Sequence, residues 1–356
     1  MDSKIAIFVA IAVIASAIAL PGIDGADSDS EVFTYYALLD VNGKLVYKEV
    51  SSATSIDKET KEFVVVLEDS SLFDDTDGAK AYADRTVREA LTALYLSNPM
   101  IPYIWDYPVK DTQVEPEITT VKVTRPDGTE STYYVVSKVT FSLTVPEGIT
   151  SDSMKELNEA LKDFEVSGST DADKVKNIMS ELDKVYFHED EEGTISNIYS
   201  ALVKKQTTSA GVAQAFVALC KLNNIPVITV SGTDLLATNE PGMSYWNYVY
   251  LEGDVDGETV MSWYIVDSTY AVSTGIAGYL TEVSYDGKTY SMSSAHYVDL
   301  GITGEVSLQV PQLAKEKYVP VGGIPFLEQW GEAILIIAIG VVMIGSMFYA
   351  MRKDII

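Results

Sequence analysis

Hydrophobic and polar positions follow changing periods along the chain, and each period predicts a different element. From residue 31 the alternation is short. Val32–Leu39 and Leu45–Val50 flank Asn42-Gly43, a dipeptide that supplies positive φ for a tight turn, so a β-hairpin is expected there. Phe63–Leu67 reads as a further strand. Over Ala79–Leu96 the period lengthens: Ala83, Val87, Ala90, Leu91, Leu94 and Tyr95 recur at helical spacing, and Asn98-Pro99 ends the run. Strands are expected again at Thr119–Thr124 and Thr132–Val145, joined through Pro126-Asp127-Gly128.

Beyond Pro146-Glu147-Gly148 the pattern turns helical. Ser151–Phe164 opens on Ser/Asp capping signals, and Ala172–Tyr186 sets Val175, Ile178, Met179, Leu182 and Val185 on one face. Thr194–Lys205 predicts a third helix, and Ala210–Leu222 a fourth that is apolar enough to be central. Strands follow at Val227–Val230, Tyr245–Leu251 and Val260–Val266, then a hairpin around Asp286-Gly287. Helices followed by a meander of strands predict an α+β layer structure rather than a doubly wound sheet.

The two ends predict a membrane protein. Ile5–Leu20 is a 16-residue uncharged apolar run after Lys4, with Ala15, Ala17 and Ala19 near its end, so residues 1–26 read as a secretory signal peptide or an N-terminal anchor. Ala333–Met351 is 19 residues without a charge; as a helix it would cover about 28 Å, close to the ~30 Å hydrocarbon thickness. Trp330 and Tyr349 sit near its ends, and Arg352-Lys353 follow it, which places the C-terminus in the cytoplasm and the bulk of the chain outside the cell. The expected organisation is an N-terminal α+β region over 27–148, a core over 149–300, a juxtamembrane tether over 301–326 with Gly322-Gly323, Pro320 and Pro325, a single transmembrane helix over 327–351 and a tail over 352–356.

Charge and side-chain chemistry narrow the function classes. Against 25 Lys+Arg stand 52 Asp+Glu, a formal net charge of −27 over 356 residues. Such a surface repels phosphate backbones and anionic headgroups, which argues against nucleic acid as a partner and against polybasic membrane docking. The lone Cys220 excludes an internal disulfide framework and a Cys-rich metal centre. Only two histidines occur, His188 and His296, 108 residues apart, and no cofactor or metal is expected. No Asn-x-Ser/Thr sequon predicts N-glycosylation.

Three ordered patterns within Lys174–Thr269 resemble the transglutaminase-like (papain-like) core. The family's Cys-x-Gly-x-Ala-x-x-Phe helix start is similar to Ser209-Ala210-Gly211-Val212-Ala213-Gln214-Ala215-Phe216, followed by Asn223-Asn224-Ile225-Pro226-Val227. Its His-x-Trp-Asn-x-Val strand resembles Ser244-Tyr245-Trp246-Asn247-Tyr248-Val249, and its Trp-x-x-Val-Asp-x-Thr is matched by Trp263-Tyr264-Ile265-Val266-Asp267-Ser268-Thr269. Ala90–Tyr107, with Asn98-Pro99 and Tyr103, Trp105 and Tyr107, looks like the region preceding such cores. The resemblance implies helices packed on an antiparallel sheet and a thiol–imidazole–carboxylate triad. Here the nucleophile position holds Ser209, the base position Ser244, and only the orienting Asp267 remains. The chemistry needs a thiolate made by a neighbouring imidazole, so the resemblance implies a pseudoenzyme. A peptide or another envelope protein is its expected partner, with Trp246 and Asn247 lining the cleft.

Each candidate also has a plainer reading. Ser209 is either a nucleophile served by a lysine or by His296, which lies 29 residues after Asp267 and outside the family's order, or simply the cap of the Ala210–Leu222 helix. Asp267 is a vestigial orienter or a strand-end cap, and Trp246 a cleft wall or a core aromatic. Cys220, with Phe216, Leu219 and Leu222 near it, reads as a small buried hydrophobe, and His296 as an ordinary strand residue. Asp75-x-Asp77-Gly78 with Asp84 faintly resembles a calcium loop, but Phe73 occupies the first ligand position, which favours a solvated turn. The acidic run His188–Glu192 reads as an exposed loop.

Overall fold

The computed structural model describes residues 32–68, 71–105, 112–124, 128–164, 166–187, 196–234, 243–255, 257–269, 282–285, 288–291, 296–300, 308–314, 318–319 and 321. The expected signal segment, the expected transmembrane helix and tail, His188 with its acidic run, and Asp286-Gly287 lie outside these residues. Among the described residues no helix is long and apolar enough to cross a membrane.

The chain is mixed α+β with antiparallel sheets. Its opening corrects the expected hairpin: a single helical turn α1 (Tyr35–Leu38) leads into helix α2 (Val41–Ser51). Asp40 decides the outcome, because its Oδ1 accepts from Gly43 N at 2.6 Å and caps the helix. Asn42 is fully buried; it donates to the Tyr82 hydroxyl at 2.8 Å and accepts from Glu68 N at 2.9 Å. The helical spacing of the buried Val46, Tyr47 and Val50 was the signal that outweighs the Asn-Gly dipeptide.

Strand β1 (Thr60–Val66) and the long helix α3 (Thr76–Ser97) form as expected. Asp75 of the calcium-like motif caps α3, accepting from Gly78 N at 2.7 Å, while Asp84 pairs with Arg88 at 2.6 Å one turn later. After a 3-10 turn at Pro102–Ile104, β2 (Val114–Thr124) and β3 (Glu130–Thr144) complete a sheet of order β1-β3-β2. β2 starts earlier than expected because Pro116 lies on an edge strand, where a missing N–H costs no ladder bond.

Helices α4 (Ser151–Lys162) and α5 (Asp171–Leu182) each open on a capping box, at Thr150/Ser153 and Thr170/Asp173. α5 ends earlier than expected; Tyr186–Phe187 become strand β4, which pairs in parallel with β5 (Gln206–Thr207). The expected third helix is reduced to Ile198–Tyr199 and a π turn, Ser200–Lys204, that stops at Lys205 with φ 59°. Ser200 turns its hydroxyl back to Asn197 O at 2.6 Å, competing with regular helix bonds.

Helix α6 (Ser209–Leu222) is buried from Ala210 to Cys220, as its unbroken apolar run predicts. β6 (Val227–Asp234), β7 (Met243–Val255) and β8 (Glu258–Val266) follow, then β9 (Glu282–Tyr285), which pairs with β10 (Lys288–Ser291). β11 (His296–Val298) joins the main sheet, whose order is β11-β6-β7-β8.

Two compact units arise. One comprises Met1–Leu251 and Trp263–Leu313, the other Glu252–Ser262 and Ala314–Ile356. Within the first, one hydrophobic cluster runs from Tyr35 through α3 and Phe141 to Ile228, Val230, Trp246, Tyr248, Trp263 and Ile265. Two polar bonds tie its distant ends: Tyr35 OH donates to Thr229 O at 2.9 Å across 194 residues, and Lys221 Nζ donates to Ser97 O at 2.5 Å across 124. Leu308 is buried in the same cluster, with Val310 and Leu313 packed against it, and a single parallel bridge pairs Leu313 with Trp263. In the second unit Asp254 N donates to Val319 O at 2.7 Å.

Candidate functional site

Ser209 is the first residue of α6 rather than its cap. Thr208 is the N-cap, with extended backbone (φ −92°, ψ −178°) and no side-chain cap bond. The positive end of the helix dipole therefore falls at a half-buried serine hydroxyl. Close contacts fix the start of this helix. A Cβ on Gly211 would lie 2.0 Å from Thr207 Oγ1 and 2.8 Å from Asn197 O, so only glycine lets the preceding loop approach so closely. That loop is cross-bonded: Thr207 Oγ1 and Ser200 Oγ are 2.8 Å apart, and Gln214 Oε1 accepts from Ile198 N at 3.2 Å. Asn197, Ser200, Thr207 and Gln214 have no independent sequence signal; a glycine at the third position of the helix is the one feature from which a close approach could have been read.

Ser244 lies near the start of β7, opposite Gly232 of β6, and is buried. Asp267 follows the last residue of β8 and is 1% exposed. Alternation along β7 puts Ser244 on the face of Trp246 and Tyr248, and Tyr245, Asn247 and Val249 on the other. Among the described residues no hydrogen bond joins Ser209 to Ser244 or Asp267.

Asn247 is the node where the elements meet. Fully buried, it donates from Nδ2 to Ala213 O of α6 at 3.1 Å, and the same group lies 3.4 Å from both Ile228 O and Thr229 Oγ1 of β6. Ser268 Oγ donates to Asn247 Oδ1 at 3.5 Å, and Thr269 Oγ1 to Tyr245 O at 3.3 Å. Ala213 is one turn after Ser209 on the same helix face, so the node holds that face over the sheet. Trp246 is also fully buried, within the hydrophobic cluster. Burial pushes the Tyr245 and Tyr248 hydroxyls up to about 12, with Tyr95 and Trp246 respectively pulling them back.

Among the described residues, the groups considered as a base for Ser209 have other neighbours. His296 stands opposite Asp234 at the β11 end of the sheet, and β6 separates β11 from β7, so its backbone is two strand spacings, about 10 Å, from the strand of Ser244. Lys221 is near the far end of α6, bonded to Ser97 O. Lys204 Nζ lies 5.1 Å from the Tyr199 ring centroid, and a hydrogen bond to that tyrosine raises its pKa. Burial lowers the Lys205 pKa, and the charges nearest to it are Glu181 and Lys184. Cys220 is fully buried and its thiol is pushed well above the ordinary range, by desolvation first and Asp171 second; Leu222, expected beside it in the interior, is 39% exposed. No group of His, Cys, Asp and Glu that could hold a metal occurs among the described residues.

No family model and no curated protein matches the chain. Among solved structures it is similar to a protein of Cytophaga hutchinsonii provisionally assigned as a cysteine protease, at 16% identity over 45% of this chain and 65% of that one, with a TM-score of 0.26. It is also similar to a TGase, at 12% identity over 59% of this chain and 52% of that one, TM-score 0.25. A third likeness is to the periplasmic domain of TgpA from Pseudomonas aeruginosa, at 12% identity over 48% and 66%, TM-score 0.24. The chain thus spans between half and two thirds of the length of these neighbours, which are transglutaminase-like and cysteine-protease folds. Scores this far below 0.5 carry no part of the reading that follows.

Proposed function

We propose that the chain is a membrane-anchored cell-surface protein whose transglutaminase-like core has lost its catalytic pair and binds a peptide or another envelope protein. The observation that carries this reading is the double serine. Ser209 opens the buried helix and Ser244 lies near the start of β7, at the positions where the resemblance implies cysteine and histidine, while Gly211, Asn247 and Asp267 of the same three patterns are kept in the sequence. A serine hydroxyl attacks a carbonyl only when a base takes its proton, and loss of that base removes orders of magnitude in rate. The lysines near α6 in sequence have other neighbours, and His296 starts a strand on the far side of β6. The C-terminal apolar run supplies the anchor and the excess of acidic residues a well-solvated outer surface.

The test is intact-mass measurement of the full-length protein after treatment with a serine-directed fluorophosphonate, with Ser209→Ala beside it. The expected result is no adduct on a folded sample. A stoichiometric adduct that disappears in Ser209→Ala would overturn the binding reading and establish an acyl-transferring serine enzyme in its place.

A further inference from the structure

The juxtamembrane segment was expected to be a tether, yet residues 308–313 lie against the body. Leu308 is buried, Val310 and Leu313 pack on the core, and Leu313 bridges Trp263 at the edge of β8. The attachment is mostly apolar. Among the described residues its backbone pairs with β8 through one bridge, and Pro311 two residues earlier has no N–H with which to extend it. Trp263 itself is 6% exposed, set between Phe33 at 6.2 Å and Tyr250 at 5.2 Å between ring centroids. Among the described strands β8 is the last of its sheet, so the position at Trp263 is one where an extended segment adds to an edge.

We propose that this edge is a docking site for an extended peptide, and that residues 308–313 occupy it in cis as an intrasteric strap. The proposal rests on the binding-module reading above and names its site. The strap displays the chemistry of the occupant: apolar side chains spaced as Leu308, Val310 and Leu313, packed on the core and bridged once to β8. The formal charge of −27 adds a preference for basic residues flanking that core. A competing peptide without the central proline gains backbone pairing that the strap lacks, so it can displace a strap held by a single bridge.

The test uses the full-length protein and a fluorescent synthetic peptide of residues 308–313, with its proline replaced by alanine and lysines added at both ends. Leu313→Ala, which truncates a partly buried strap contact, is expected to bind this peptide at least tenfold more tightly than the unaltered protein. Hydrogen exchange is expected to show new protection over Trp263–Val266. If Leu313→Ala loses its fold by near-ultraviolet circular dichroism, Val310→Ala is the variant to use. Equal affinity in variant and unaltered protein, or absence of binding to both, overturns the proposal. Protection at the start of α6 instead of Trp263–Val266 also overturns it while leaving the binding-module reading in place.

Discussion

The side chain of Asn247 donates to the main-chain carbonyl of Ala213 at 3.1 Å, so a buried amide on β7 holds the helix turn that begins with Ser209. Leaving buried partners unsatisfied costs about 1–3 kcal/mol, and truncation adds a cavity. Asn247→Ala is therefore expected to lower unfolding free energy by about 2–4 kcal/mol in urea titrations. Asn247→Asp, which keeps the volume but brings a charge into a dry site, should be no better tolerated.

Gly211 offers a sharper case because the ordinary rule points the other way. Alanine in a helix interior is normally about 1 kcal/mol better than glycine. Here the added methyl would sit 2.0 Å from Thr207 Oγ1 and 2.8 Å from Asn197 O. Gly211→Ala is expected to destabilise by about 1–3 kcal/mol. Adding Thr207→Ala should recover only part of the loss, since the Asn197 carbonyl remains; a stabilised Gly211→Ala protein in thermal melts would contradict the packing described.

Lys221 gives stability an alkaline dependence. Burial lowers its pKa to about 8, below the 10.5 of an exposed lysine. The unfolded chain therefore binds the proton more readily, and stability should rise with pH between about 8 and 10. Above 10 the trend reverses, because Tyr245 and Tyr248 titrate near 12 in the folded protein against 10 unfolded and so withdraw their contribution. Urea titrations from pH 7.5 to 10 are expected to show the rise in the unaltered protein and its loss in Lys221→Met.

Cys220 should be silent to thiol reagents. With the side chain fully buried and thiolate formation opposed by desolvation, a disulfide reagent at pH 8 is expected to leave the native protein unmodified and to titrate one thiol after unfolding in guanidinium. Fast labelling under native conditions would show that α6 opens readily near its C-terminal end.

Much of the architecture was legible in the sequence where a pattern persisted. The period of Ala83, Val87, Ala90, Leu91 and Leu94 gave α3, and the unbroken apolar run of Ala210–Cys220 gave the buried helix. Local chemistry misled where a nearby side chain outbid it. Asn42-Gly43 has the composition of a hairpin turn, yet Asp40 caps a helix through the same glycine. Ser200 and Thr207 carry no sequence signature of a cross-bonded loop; their hydroxyls meet across the π turn that ends at Lys205, where φ is 59°. At the candidate site the sequence ordered Ser209, Ser244 and Asp267 along the chain. It did not reveal that Asn247 would be the residue joining helix and sheet, because its four partners come from α6, β6 and Ser268.

The bond from Tyr35 to Thr229 sets a schedule for folding. Its two ends are 194 residues apart, and at ribosomal rates of ~5–20 residues per second the acceptor emerges about 10–40 s after the donor. During that interval the aromatic turn at Tyr35 waits for β6, and Tyr95 near the end of α3 waits for Tyr245 of β7. Contacts of such range also slow the final search, since the entropy of closing the intervening chain precedes any gain from pairing. The turn at Tyr35 thus stays unlatched until β6 has been synthesised, although the β1-β3-β2 sheet beside it can already have formed.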